Sequence, residues 1–343
     1  MAGASEVAGD EGTVERGRPW RRQELWPWAA FMVVFGLMPV LYSAPYQHNI
    51  AVLICLTALM ATGWNLLGGF TGQISLGHAL FFGVGAYTVT VGELRIGLNP
   101  WLGMLLGAAI AVAVSMIVGL PVFRLRGHYF SIATIAVGEI AFLIFLNWQF
   151  VGAAGGLSIP IKEDSLLELQ FSGQHKWEYY YLAAGLLLLA LVATQLILKS
   201  RTGYYLAAIR EDQEAAASVG IPVARYKQIA LSFSAATVAI AGAFFAQYVL
   251  FVDPVSVLEL AISIQITIAA VLGGVKSMWG PVIGAAVLLS LTETARLYLG
   301  GTGEALNLVA YGLLVMLIAA FEPNGLIGLA QRFRRPRNTR GQR

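Results

Sequence analysis

Residues 199–227 read KSRTGYYLAAIREDQEAAASVGIPVARYK. Apolar runs long enough to cross a bilayer stand on both sides, Tyr179–Leu198 before and Ala230–Phe251 after, so the stretch is a charged island in an oily chain. It holds Lys199, Arg201, Arg210, Arg225 and Lys227, five of the 22 basic residues. Helical spacing over Tyr205–Val219 puts Tyr205, Ile209, Ala216 and Val219 on one face, with Asp212 among them. Arg210, Glu211, Glu214 and Ser218 face the other way. Gly220 and Pro222 then close the helix. The pattern predicts one short amphipathic helix on a loop between membrane spans, which either lies on the lipid surface or docks into a groove on a partner.

Composition supports that setting. Of 343 residues, 57% are hydrophobic and 12% charged, with mean hydropathy +0.70. A soluble domain carries about 25% charged residues. A chain this apolar cannot cover a globular surface with polar groups, so lipid is its solvent. The expected fold is all-α, a polytopic transmembrane helical bundle of about eight to ten spans with Gly-broken helices. The single cysteine, Cys55, excludes an intramolecular disulfide and a multi-cysteine metal site. His48, His78, His128 and His175 are scattered without ligand spacing, so no metal is expected. No Gly-x-x-x-x-Gly-Lys-Ser/Thr loop is present, which excludes ATP hydrolysis by that route. No cofactor, catalytic residue or nucleic-acid partner is implied.

Residues 1–25 carry no apolar run and read as a disordered tail, with Arg16, Arg18, Arg21 and Arg22 holding the N-terminus in the cytoplasm. The membrane domain is expected over residues 26–325. Its spans fall near Trp28–Tyr42, Ile50–Leu67, Ser75–Val91, Leu98–Val122, Tyr129–Val151, Tyr179–Leu198, Ala230–Phe251, Leu258–Leu272, Val282–Leu299 and Ala305–Phe321. Gly152–Trp177 is polar without positive excess and fits the outer side. The basic tail 326–343 fits the cytoplasm, so both ends lie inside and the number of crossings is even.

Two stretches interrupt the apolar runs. Leu67–Gly77 carries Gly68, Gly69, Gly72 and Gly77, and Leu272–Pro281 carries Gly273, Gly274 and Gly280. Irregular backbone at membrane depth survives only under cover of protein or beside a water-filled cavity. Paired breaks of this kind point to a substrate path. The plainer alternative for the glycines is close helix packing. Gln73, Ser75 and His78 are candidates to line the path, since polar groups facing lipid are costly. Glu139, in the middle of an apolar run, should face the bundle interior with a partner. It is either an ammonium contact on the path or a structural hydrogen bond. Glu293 and Arg296, three apart, should pair, and Tyr179–Tyr181 should form a membrane-interface belt.

The stretch Asn65–Tyr87, NLLGGFTGQISLGHALFFGVGAY, resembles the signature of the permease subunits of branched-chain amino acid ABC importers. So do Leu125–Glu139, Ala208-Ile-Arg-Glu-Asp212 and Gly273-Gly-Val-Lys-Ser-Met-Trp-Gly-Pro281. The resemblance covers roughly residues 50–325. Permeases of this kind carry a cytoplasmic Glu-Ala-Ala, three residues, Gly pattern, which Glu214-Ala-Ala-Ala-Ser-Val-Gly220 matches; the Ile-x-Leu-Pro that usually follows is absent. The resemblance implies that Arg210, Glu211, Asp212, Glu214 and Gly220 couple to an ATPase subunit. It further implies two ATPases, a second related permease, an extracytoplasmic binding protein, a small hydrophobic amino acid as substrate, the cell inner membrane as location and alternating access as mechanism. Urea and short-amide importers share these motifs, and an ion-coupled secondary transporter is the rival of another class.

Overall fold

The computed structural model describes residues 45–125, 127–171, 177–299, 312 and 325–328, with scattered positions from 28 to 38. Residues 1–38 and 39–343 separate into two compact units, and the second holds the helices below. The expected tail 1–25 and the end of the basic tail, 329–343, lie outside the described residues. So do most of the span near Trp28–Tyr42 and, apart from Gly312, the span Ala305–Phe321.

Eleven α-helices are described. They are α1 Pro45–Gly68, α2 His78–Ile96, α3 Pro100–Val122, α4 His128–Asn147, α5 Trp177–Lys199, α6 Arg201–Glu211, α7 Gln213–Ser218, α8 Val223–Val249, α9 Pro254–Leu258, α10 Leu260–Gly273 and α11 Gly280–Leu299. Seven segments are long and apolar enough to cross a membrane: α1 through α5, α8, and the α9–α10 stretch Pro254–Gly273. The helical bundle expected from composition is therefore present. The start of α11, Gly280–Thr294, is a shorter apolar helix. A two-residue antiparallel pair, β1 Leu157–Ser158 with β2 Phe251–Val252, joins two loops.

Helix α8 is the axis on which α1, α2 and α3 pack. Its sequence is rich in Ala, and in hydrocarbon small residues let backbones approach where no hydrophobic force would draw helices together. The closest approach is to α2 and is reciprocal. A side chain added at Gly85 would overlap the backbone carbonyl of Ala239, and one added at Gly242 would overlap that of Phe82. Helix α3 buries only a stripe including Gly103, Gly107, Ala111 and Ser115, while Leu105, Ile117 and Leu120 stay exposed, as suits a lipid-facing helix.

Successive spans run in opposite directions, so the connections gather at two ends. The breaks after α1 and α10, the α3–α4 turn and the island share one end. The α2–α3 turn, residues 148–171 and the α8–α9 joint share the other. Overpacking a tight crossing costs about 1–3 kcal/mol. Gly85→Val or Gly242→Val should therefore lower the melting temperature in detergent by several degrees, whereas Ile117→Val on the exposed face of α3 should not.

Candidate functional site

The island folds as two helices, not the single Tyr205–Val219 helix the spacing suggested. The cause is Asp212. Its backbone is extended, at φ −153 and ψ 114, and its carboxylate accepts from the N–H groups of Glu214 at 2.8 Å and Ala215 at 3.0 Å. An aspartate that caps a helix N-terminus starts a new helix rather than continuing the old one. These two N–H donors hold the Asp212 carboxyl below its ordinary pKa. The buried face differs too. Gly203, Leu206, Ile209 and Ala216 are buried, while Val219 is 77% exposed. Helix α6 packs its apolar stripe on α5 and α8 of its own chain. The exposed residues of the island include Lys199, Arg201, Tyr204 and Arg225, and a run of Glu211, Asp212, Glu214, Ala215 and Ala217–Gly220, the last at φ +87.

The first break is a rising strand of backbone whose polar groups are met one at a time. Gly68 ends α1, and the N–H groups of Gly69 and Phe70 return to the Asn65 carbonyl at 2.8 and 3.0 Å. Ser131 donates to the Ile74 carbonyl at 2.6 Å, and Trp64 Nε1 to that of Ser75 at 2.7 Å. The Leu76 N–H donates to Thr134 Oγ1 at 3.0 Å, and the Ala79 N–H to Ser263 Oγ at 2.8 Å. Gly77 lies against the Thr134 backbone. At 1.5 Å rise per residue, Thr134 is about 9 Å and Ser263 about 15 Å above the island ends of their helices. The non-helical segment thus climbs from the end of the bundle to about its middle. An unmet backbone group in hydrocarbon would cost several kcal/mol, and these side chains remove that cost.

The second break meets the first. Asn65 Nδ2 donates to the Ser277 carbonyl at 3.0 Å, and Gly69 lies so close to the Val275 carbonyl that no side chain fits between. Gly273 closes α10, Gly274 turns at φ +118, and Gly280 opens α11. The island reaches both breaks. Gly72, at φ +71, lies beneath Arg210, where an added Cβ would stand 3.2 Å from Arg210 Cγ. The Arg210 guanidinium hydrogen-bonds Glu211 at 2.7 Å and lowers the pKa of its carboxyl, and Lys276 of the second break adds to that shift.

The remaining expected residues are dispersed. Gln73 is half-buried, and Ser75 is buried on a small cleft shared with Gly77, Phe81, Val118, Phe130 and Thr134. The enclosed part of that cleft has room for about one water molecule. His78 is fully buried, with Nε2 2.8 Å from Ser234 Oγ. Glu139 is partly buried on α4, and among the described residues no hydrogen bond or ion pair engages it. Glu293 accepts from Tyr46 Oη at 2.7 Å; the Arg296 side chain lies outside what is described. Tyr179 and Tyr180 are core residues rather than an interface belt, and the Tyr179 hydroxyl accepts from the Phe171 N–H at 3.2 Å. Asn65, Ser131, Thr134 and Ser263 were not singled out from sequence. Their signal is a lone small polar residue in an apolar run, which is also how ordinary helix packing looks.

A family model described as the permease component of branched-chain amino acid transport systems matches residues 46–319. The chain is 30% identical over 305 residues to the high-affinity branched-chain amino acid transport system permease protein LivM of Escherichia coli, covering 82% of this chain and 70% of that one. It is 29% identical over 324 residues to LivM of Salmonella typhimurium, covering 88% and 74%. It is 26% identical over 307 residues to the permease protein LivH of Escherichia coli, covering 84% and 96%.

A bulky residue at position 72 meets both a left-handed backbone and the Arg210 side chain. Gly72→Val should leave membrane insertion intact and displace Arg210. The check is the trypsin cleavage rate at Arg210 in detergent, expected to rise several-fold over the unchanged chain.

Proposed function

The chain belongs to the permease family of branched-chain amino acid transport systems, and from this premise we propose that it is the membrane subunit of an ABC importer moving leucine, isoleucine or valine by ATP-driven alternating access. It is a multi-pass membrane protein. We place it in the cell inner membrane with both termini in the cytoplasm, so that the island end faces inward. Residues 1–25 and 326–343 would be tails and 26–325 the permease domain. Two ATPase subunits, an extracytoplasmic binding protein and a second, related permease complete the assembly. The similarity to both LivM and LivH, two permease proteins of one organism, supports a paired permease.

One observation carries this reading: Arg210 of the island rests on Gly72 of the first break, and Asn65 ties that break to Ser277 of the second. The exposed surface of Glu211, Asp212, Glu214 and Ser218–Gly220 is the ATPase contact. It mixes acid, small apolar and hydroxyl groups, as an interface rim and core do, whereas the polar face of a helix lying on anionic lipid is usually dominated by Lys and Arg. Because α6 buries its own apolar stripe, a push on α7 is transmitted through α6 rather than absorbed by it. Arg210 then moves the first break, and the Asn65 bond passes the shift to the ends of α10 and α11. Helices interrupted by glycine bend at the interruption, which converts the shift into opening on one side. On this reading Gln73, Ser75 and His78 line the path when the cleft widens. Glu139 offers its carboxylate to the substrate ammonium, which lets a charge at membrane depth be tolerated. ATP hydrolysis stays with the partner, since the chain has no phosphate-binding loop.

Glu214→Lys or Gly220→Val should abolish uptake of labelled leucine in cells while membrane abundance of the chain stays normal. Uptake that survives either change would count against the docking surface.

A further inference from the structure

At the end opposite the island, residues 148–171 cross the bundle as a strap between α4 and α5, fastened at three places. Its first part pairs with the α8–α9 joint: Leu157 and Ser158 face Val252 and Phe251, and the Ile159 N–H donates to the Leu250 carbonyl at 2.9 Å. Near its far end, Trp101 Nε1 and Asn99 Nδ2 donate to the carbonyls of Leu166 and Leu167 at 2.8 and 2.9 Å. Between these stands Lys162. Its Nζ lies 2.9 Å from Glu93 Oε1 and 2.6 Å from Glu168 Oε2. Glu93, in the last turns of α2, has a side chain only 2% exposed, and its other oxygen accepts from Gln247 Nε2 of α8 at 2.6 Å.

We propose that Lys162 is the latch of an outer gate: on Glu93 it holds the strap closed over the far end of the bundle, and withdrawn with Glu168 it lets the strap lift. The inference rests on the permease reading above. Its physical basis is that one ammonium is shared between a carboxylate fixed in the bundle and another carried by the strap itself. Lys162 keeps Glu168 when it leaves, and its side chain, already one-third exposed, regains water. Glu93 stays behind as a buried carboxylate with only an amide donor, which is a costly state. The open form is thus accessible but uphill, and the strap recloses. Glu93 and Lys162 are positioning residues here; neither need touch the substrate.

The strap covers Val252, which is fully buried and gives a probe that does not depend on transport. With Val252→Cys as background, Lys162→Met should raise the rate of maleimide labelling in membranes at least five-fold, and Lys162→Arg should leave it slow. Equal rates for all three would overturn the latch. In the assembled transporter, a Leu157→Cys and Val252→Cys pair oxidised to a disulfide should block uptake, and reductant should restore it. Undiminished uptake by the oxidised form would overturn the gate. If the unsubstituted assembly carries no amino acid, the permease reading fails, and the labelling result still decides whether the latch exists.

Discussion

A peptide group in hydrocarbon has no water to bond, and this requirement governs the break between α1 and α2. The chain leaves helical geometry at Gly68 and does not regain it until His78. Over that interval the ladder that would satisfy each N–H and C=O is missing. Side chains replace it: Trp64 from α1 and Ser131 and Thr134 from α4 each meet one backbone group of the segment, and Ser263 from α10 meets the Ala79 N–H in the first turn of α2. With the start of α2, the interrupted segment therefore binds three helices to one another. It can shift only if they shift with it, or if the bonds are exchanged as a set.

That dependence explains why the two broken stretches and the island sit together. A break fastened to several helices is a place from which all of them can be moved, and Arg210 reaches it at Gly72, where a left-handed turn without a side chain lets the arginine lie flat. The Asn65 amide extends the same hold to Ser277. The interior glycines of α2 and α8 serve another purpose. Gly85 and Gly242 bring two straight helices into backbone contact and make a rigid axis against which the broken ends can move.

The two ends of the bundle are held by different chemistry. At the island end the two breaks are held by uncharged hydrogen bonds and close backbone contact. The far end uses a buried carboxylate and a shared lysine, joined to a two-residue strand pair. Neutral bonds of this kind are individually weak, about 0.5–1.5 kcal/mol each, and can be exchanged by a modest push. A buried ion pair resists separation more strongly, because it leaves an uncompensated charge behind.

The membrane class, the positions of seven of the spans, the charged island and the two broken stretches were all legible in the residues. Each follows from local composition: apolar length, glycine density and the placement of Arg and Lys. The family motifs were legible for the same reason, being contiguous. The split of the island at Asp212 was encoded locally as well, as a capping aspartate ahead of Gln-Glu-Ala, but helical periodicity across it hid the cap. What depended on the tertiary structure was which distant residues meet. Asn65 and Ser277 are far apart in the chain, as are Glu93 and Lys162, and nothing in either neighbourhood specifies the other. The partial burial of Glu139 was decided the same way. Periodicity gives a helix its faces, but in a chain apolar on nearly every side only the packing of α4 against its neighbours determines which face is covered.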